Sequence, residues 1–178
     1  LNPLWSFRDN RPRSFAYGHL PLYLITGSAW LLEYAATLAP KLSWFPGLAR
    51  ALGGLTYMAD YDQINLWGRV LSALADVGVV WLIYAVGKRL YGRGVGLLAA
   101  AFVALTVSHI QLSHYAAFDT FATFFIVLTL YGSICLWQRG KWGDLFLTGA
   151  AAGMAISSKF SAMPILLAPA LACLARAL

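Results

Sequence analysis

Twenty consecutive residues, Gly94 to Ser113, carry no formally charged side chain, and Asp119 to Trp137 carries only the acid at its first position. At about 1.5 Å per helical residue either run reaches across the ~30 Å hydrocarbon core of a bilayer. Asn65 to Val86 is a third such run, with Arg69 and Asp76 as its only charges. In lipid every backbone N–H and C=O must be satisfied internally, so runs of this length predict transmembrane helices. The composition agrees. Of the 178 residues 60% are hydrophobic and 11% charged, where a soluble domain has roughly a quarter charged. A water-soluble fold of this size is excluded, because it would leave most of that apolar surface in water.

Leu145 to Ser158 is a shorter apolar stretch, and Lys159 separates it from the run that continues past Pro164 and Pro169. Two helices broken near the lysine fit this pattern better than one long helix. The expected fold is therefore an all-α integral membrane bundle with spans near 65–86, 94–113, 119–137, 145–158 and 160–178. The first residue is Leu1 rather than Met, and the chain stops at Leu178 inside an apolar run; the expectation is a piece of a longer protein. No signal peptide is expected in Leu1 to Arg13, which has no apolar core.

Thirteen Lys and Arg against seven Asp and Glu give a net charge of +6. The basic residues punctuate apolar runs instead of forming one polar tract, which suits loops at a lipid surface and not a nucleic-acid partner. Lys88, Arg89 and Arg93 fill one short loop and Arg139 with Lys141 another, whereas His114 to Phe118 has no Lys or Arg. The positive-inside rule puts the first two loops in the cytoplasm and the last outside. By alternation Pro40 to Ile64 is outside as well, and Lys159 falls at the outer end of its helix. Cys135 and Cys173 lie inside apolar runs and form no disulfide framework.

Two readings fit His19 to Leu38. It is either a span, or a juxtamembrane helix in the outer interface, where Tyr17, Tyr23, Trp30 and Tyr34 favour that depth. Trp44 to Met58, with Leu48, Leu52 and Leu55 at helical intervals, reads as a second short interfacial helix.

Ionisable groups inside a bilayer cost at least about 2.5 kcal/mol each, so each one invites a reason. Arg69 is near a helix end and either snorkels to the interface or aims its planar fork at a phosphate. Asp76 lies two turns deeper on the same face, and a hydrogen-bonded or protonated structural role suits it best. Asp119 opens a helix, where an acid caps free N–H groups; capping alone and a role in a site both remain open. His109 and His114 are five apart, which is not the spacing of a metal pair on one helix face, so no metal ligands are assigned. Lys159 follows Gly149, Gly153 and Ser157, whose four-residue spacing predicts a smooth face for close helix approach. An ammonium there either snorkels or faces a cavity where an anion offsets its burial. No phosphate-binding glycine loop, Ser-His-Asp order or cysteine cluster occurs.

The succession YGHLPLYL at Tyr17 to Leu24, NLWGRVLSALAD at Asn65 to Asp76, KRLYGR at Lys88 to Arg93, SHYAAFDTFATFF at Ser113 to Phe125 and GAAAGMAISSKFSAMP at Gly149 to Pro164 resembles the membrane domain of bacterial GT-C-type glycosyltransferases, in the group of protein O-mannosyltransferases and lipid A aminoarabinose transferases. The resemblance runs along nearly the whole chain. It implies a large first external loop, residues 1–64, with 19–38 as a juxtamembrane helix, and residues 65–178 as the transmembrane bundle. It also implies transfer of a sugar from a polyprenyl-phosphate donor to a protein, lipid or glycan acceptor at the outer face of the cytoplasmic membrane. Arg69, Lys159 and His19 then match contacts to the carrier phosphate, with His19 standing where the family carries a more basic residue. Asp119 and His114 match groups that orient the site or bind the sugar. The family's catalytic acid is expected upstream of Leu1, so this chain alone is expected to be inactive. A divalent metal is left open. The alternative classes are a non-catalytic subunit of a larger membrane complex and a transporter; a transporter should show repeated halves and midplane charges, and no internal repeat is present.

Overall fold

The computed structural model describes residues 18–38, 46–59, 64–107, 111 and 117–177. Along the chain come α1 (Leu20–Leu38), α2 (Pro46–Ala59), α3 (Ile64–Tyr91), α4 (Arg93–Ala104), α5 (Phe118–Arg139), α6 (Trp142–Ser158) and α7 (Leu167–Ala177). A 3-10 stretch, Phe160–Leu166, leads from α6 into α7. Among the described residues three stretches are long and apolar enough to cross a membrane: Ile64–Tyr91, Phe118–Arg139, and Phe160–Ala177 with the 3-10 turns included. The chain is thus an all-α membrane bundle.

The other helices are shorter or less apolar. In the run from Gly94, α4 extends only to Ala104, where Leu105 N–H donates to the Ala101 carbonyl and the Thr106 hydroxyl to the Phe102 carbonyl. Those bonds take up carbonyls the helix would otherwise leave free. α1 is a continuous helix of 19 residues, but Gly27, Ser28 and Glu33 make it less apolar, and it is not among the helices apolar enough to span. Its Tyr23, Trp30 and Tyr34 are all exposed, the last two stacked with ring centroids 6.1 Å apart.

Gly92, at φ 95°, turns the chain sharply between α3 and α4. α4 then folds back along α3 so closely that a Cβ on Gly96 would lie 2.7 Å from the Lys88 amide nitrogen and 2.8 Å from the Tyr84 carbonyl oxygen. These are backbone atoms and cannot rotate aside. Gly96→Val is therefore expected to cost about 1–3 kcal/mol through overpacking. Gly94→Ala, where nothing lies within 4 Å of the new methyl, should instead gain up to about 1 kcal/mol of helix propensity. Thermal unfolding of the two variants in detergent checks both signs.

α6 runs back antiparallel to α5. Its packed face is made of Thr148, Ala151, Ala152, Ala155 and Ser158, with Thr148 set directly against Gly132 of α5. Lipid offers no hydrophobic drive for helix pairing, so small side chains that allow close approach hold such interfaces. Four buried hydroxyls of this pair are satisfied within their own helices: Thr129 donates to the Phe125 carbonyl, Ser133 to Thr129, Thr148 to Asp144 and Ser158 to Met154. The four-residue spacing of Gly149, Gly153 and Ser157 predicts that they form the close-packing face of this helix. Their side of α6 is exposed, with no neighbour within 4 Å of a Cβ on either glycine. The alanine-rich face, roughly 100–200° round the helix, makes the contact instead.

α3 and α5 run in parallel, and the contacts mark two distinct ends of the bundle. At one end Trp67, Phe121, Phe125, Ala155 and Ala162 form a core with Ile25 and Ala29 of α1. The Trp67 indole N–H donates to Ser28 Oγ at 2.9 Å, and that hydroxyl donates to the Ile25 carbonyl at 3.0 Å, tying α1 to α3. At the other end Arg89 Nε donates to Gln138 Oε1, so the last turns of α3 and α5 lie side by side. The 3-10 stretch starts at the first end, through Ala162, and α7 carries the chain to the second, where Arg176 meets the Trp137 carbonyl at 3.4 Å.

Candidate active site

The helical run beyond α5 breaks at Lys159. This residue is extended, with φ −150° and ψ 118°, between the last turn of α6 and the 3-10 stretch. The break lets its side chain leave the helix surface and turn toward the start of α5. There Lys159 Nζ lies 2.5 Å from Asp119 Oδ1. Asp119 occupies the first turn of α5, where its charge also complements the helix dipole. The two residues are 40 apart in sequence and meet because α5 and α6 are antiparallel.

The pair lines an open hollow of about 250 Å³. Asp119, Lys159, Thr123 and Ser161 supply its polar groups, and Ala122, Ile126 and Ala162 its apolar wall. Thr123 Oγ1 donates to the Asp119 carbonyl at 2.8 Å, which commits its proton and leaves the hydroxyl free to act as an acceptor. The side chains of Lys159 and Asp119 keep 31% and 36% of their surface exposed, so the ion pair is open to replacement by a ligand. A fully buried pair would resist that exchange. Next to Asp119, the buried Thr120 hydroxyl has no hydrogen-bond partner among the described residues.

α1 is anchored beside this site. Gly18 N–H donates to the Ser158 carbonyl at 3.0 Å, one residue before Lys159, and the exposed His19 follows directly. His19, Lys159 and Asp119 therefore share one end of the bundle. Arg69 belongs to the same end, two residues beyond the buried Trp67, but two residues turn it about 200° round α3. It is exposed and does not line the hollow. Asp76 is half-buried deeper in α3. His109 and His114 lie outside the described residues. Among those described, no group of three or more His, Cys, Asp or Glu is placed to hold a metal ion.

Sequence reasoning missed Thr123, Ser161 and Gly18. Thr123 stands one turn after Asp119 and Ser161 two residues after Lys159, so both were within reach of a local search around the charged residues. Gly18 gave no such signal, because its importance comes from a backbone contact with a residue 140 positions away.

Residues 63–177 match the family described as dolichyl-phosphate-mannose-protein mannosyltransferase. The chain belongs to this family. The mannosyltransferase match takes in α3 through α7, and with them Asp119, Lys159 and the whole hollow, while α1 with His19 lies before it. YycA of Bacillus subtilis (strain 168), named as a candidate mannosyltransferase, is 31% identical over 117 residues. That alignment covers 61% of this chain and 17% of the relative's length. No solved structure matches the chain.

Proposed function

We propose that the chain forms the carrier-phosphate pocket of a multi-pass glycosyltransferase in the cytoplasmic membrane, which moves a mannose-type sugar from a polyprenyl-phosphate donor to an acceptor at the outer face. One observation carries this reading: an ammonium and a carboxylate from distant parts of the chain line an open hollow at a helix-bundle end. The opposite end carries Lys88, Arg89, Arg93, Arg139 and Lys141. The positive-inside rule assigns that basic end to the cytoplasm, which makes the hollow face outward.

In this mechanism the donor's lipid tail lies between helices in the bilayer and its phosphate enters the hollow. The phosphate oxygens take over the Lys159 ammonium from Asp119, and the freed carboxylate accepts hydrogen bonds from sugar hydroxyls. An acceptor hydroxyl attacks the anomeric carbon and the bond from that carbon to the phosphate oxygen breaks. The acceptor's proton passes to a general base supplied by another part of the full-length protein. As the bond breaks, charge on the departing phosphate rises, and Lys159 interacts more strongly with that charge than with the bound donor. Such a difference between ground state and transition state is what accelerates a reaction. His19 and Arg69 are proposed as outer contacts that guide the phosphate to the mouth of the hollow, and His114 as a sugar contact.

The test is a transfer assay with the full-length protein in sealed vesicles. Mannose carried on polyprenyl phosphate should be transferred, and polyprenyl phosphate released. Transfer at the same rate from a nucleotide-linked mannose without any lipid carrier would overturn the reading. Arg69→Gln should cost less than about tenfold in rate, as expected for a screened contact outside the hollow. A loss as large as that of Lys159→Gln would show that residue 69 reaches the reacting phosphate.

A further inference from the structure

The end of the bundle away from the hollow has a chemistry of its own. Lys88 and Arg89 close α3, Arg93 opens α4, Arg139 closes α5, Lys141 precedes α6 and Arg176 lies in the last turn of α7. Contacts across helices bring them into one collar. Arg89 lies 5.9 Å from the Tyr131 ring centroid and bonds Gln138, while Arg176 reaches the Trp137 carbonyl beside the turn at Gly140. Asp144 is the acid among the described residues at this end, and Arg139 stands 3.5 Å from it. Most of the collar's positive charge is therefore uncompensated by the described part of the chain.

Three aromatic side chains sit at the same level with their faces open: Trp142 is 86% exposed, Tyr91 73% and Trp137 50%. Trp and Tyr settle where apolar chains meet headgroups, since each has an apolar body and a polar tip. We infer that this end is a binding collar for anionic phospholipid headgroups, with the cations holding lipid phosphates and the aromatics fixing the depth. The alternatives for a basic surface are nucleic acid and an acidic protein. Here the cations stand one or two to a helix end and not along a polar face, next to exposed apolar residues such as Phe146 and Leu90. At that depth headgroups are the anions in reach.

The probe is phosphatidylglycerol in competition with phosphatidylcholine, presented to the full chain in mixed micelles. The readout is the lipid retained per protein after detergent exchange, counted by native mass spectrometry. Each Lys or Arg near an anionic surface strengthens association by about fivefold at low salt. Wild type should retain phosphatidylglycerol preferentially, and Lys88→Gln, Arg93→Gln and Lys141→Gln, added one after another, should each lower that preference by about fivefold. All three side chains are exposed, and the contact of Lys88 with the Tyr84 ring lies within α3, so neutralising them leaves the contacts between helices in place. Lys159→Gln, at the opposite end, should leave the preference unchanged. Should the triple variant fail to fold, the wild type alone still decides, because 0.5 M salt must shrink its preference. Equal retention of the two lipids, an undiminished preference in the triple variant, a salt-independent preference, or displacement of the lipid by millimolar inorganic phosphate would each overturn the inference.

Discussion

Lys159→Gln in the full-length protein is expected to lower kcat/KM for transfer from the polyprenyl-phosphate donor by about 100-fold or more. Losing one preorganised group that stabilises developing charge typically costs 10²–10³ in rate, and Lys159 is the cation that lines the hollow. The drop should appear in kcat as well as in KM, because the interaction strengthens as the phosphate departs. Stability is expected to change far less. The ion pair with Asp119 is about a third exposed on both sides, and open pairs of that kind contribute about 0–1 kcal/mol. The exchanged variant, Asp119→Lys with Lys159→Asp, separates the two roles. It keeps opposite charges facing each other, so a pair that only staples α5 to the end of α6 would retain wild-type transfer. The proposed phosphate site requires the ammonium on the extended residue after α6, and the exchanged protein should remain as slow as Lys159→Gln. Lys159→Arg, which keeps the charge but changes its shape, should recover part of the rate. Transfer at the wild-type rate in Lys159→Gln would rule out the proposed role.

Much of the architecture is legible in the sequence, and the reason is physical. A bilayer forces long uncharged runs into helices, so the ranges around Asn65 to Val86 and Asp119 to Trp137 announce themselves. The clusters Lys88 to Arg93 and Arg139 to Lys141 fall at one end of the bundle because each closes a helix and reopens the next. Lys159 and Asp119 could each be singled out by the cost of keeping an ion at a helix terminus near lipid. Their direct pairing could not, since it depends on α5 and α6 being antiparallel and on α6 ending at Ser158. Residue spacing also gave a wrong face for α6. The Gly149, Gly153, Ser157 row has the pattern for close approach, yet Ala151, Ala152 and Ala155 are also small, and periodicity alone does not say which row meets a neighbour. Arg69 illustrates the same limit. Its place near the start of α3 puts it at the right end of the bundle, while its turn around the helix leaves it outside the hollow.

Gly18→Ala is expected to do nearly as much damage as the loss of Lys159, by a different route. A Cβ on residue 18 would fall 1.7 Å from the Ser157 carbonyl oxygen and 2.5 Å from its carbon. Both are backbone atoms at the end of α6, so no side-chain rotation relieves the overlap and the two segments must separate. Separation would break the bond from Gly18 N–H to the Ser158 carbonyl and move the residue that precedes Lys159. Overpacking of this kind costs about 1–3 kcal/mol or more, which corresponds to about a 5- to 150-fold shift toward an undocked α1. Amide exchange along Leu20–Leu38 should accelerate by a comparable factor, while exchange at the far end of the α5–α6 interface, where Gly132 meets Thr148, should stay near wild type. Transfer should fall with it, because His19 and the extended backbone at Lys159 are placed by the same contact. Gly27→Ala provides the control. It lies in the same helix with no atom within 4 Å of the added methyl, and replacing a mid-helix glycine by alanine there should stabilise α1 by up to about 1 kcal/mol. If the two variants gave the same exchange rates and the same activity, the docking of α1 onto the end of α6 would play no part in shaping the site, and the hollow would have to be organised by α5, α6 and the 3-10 stretch alone.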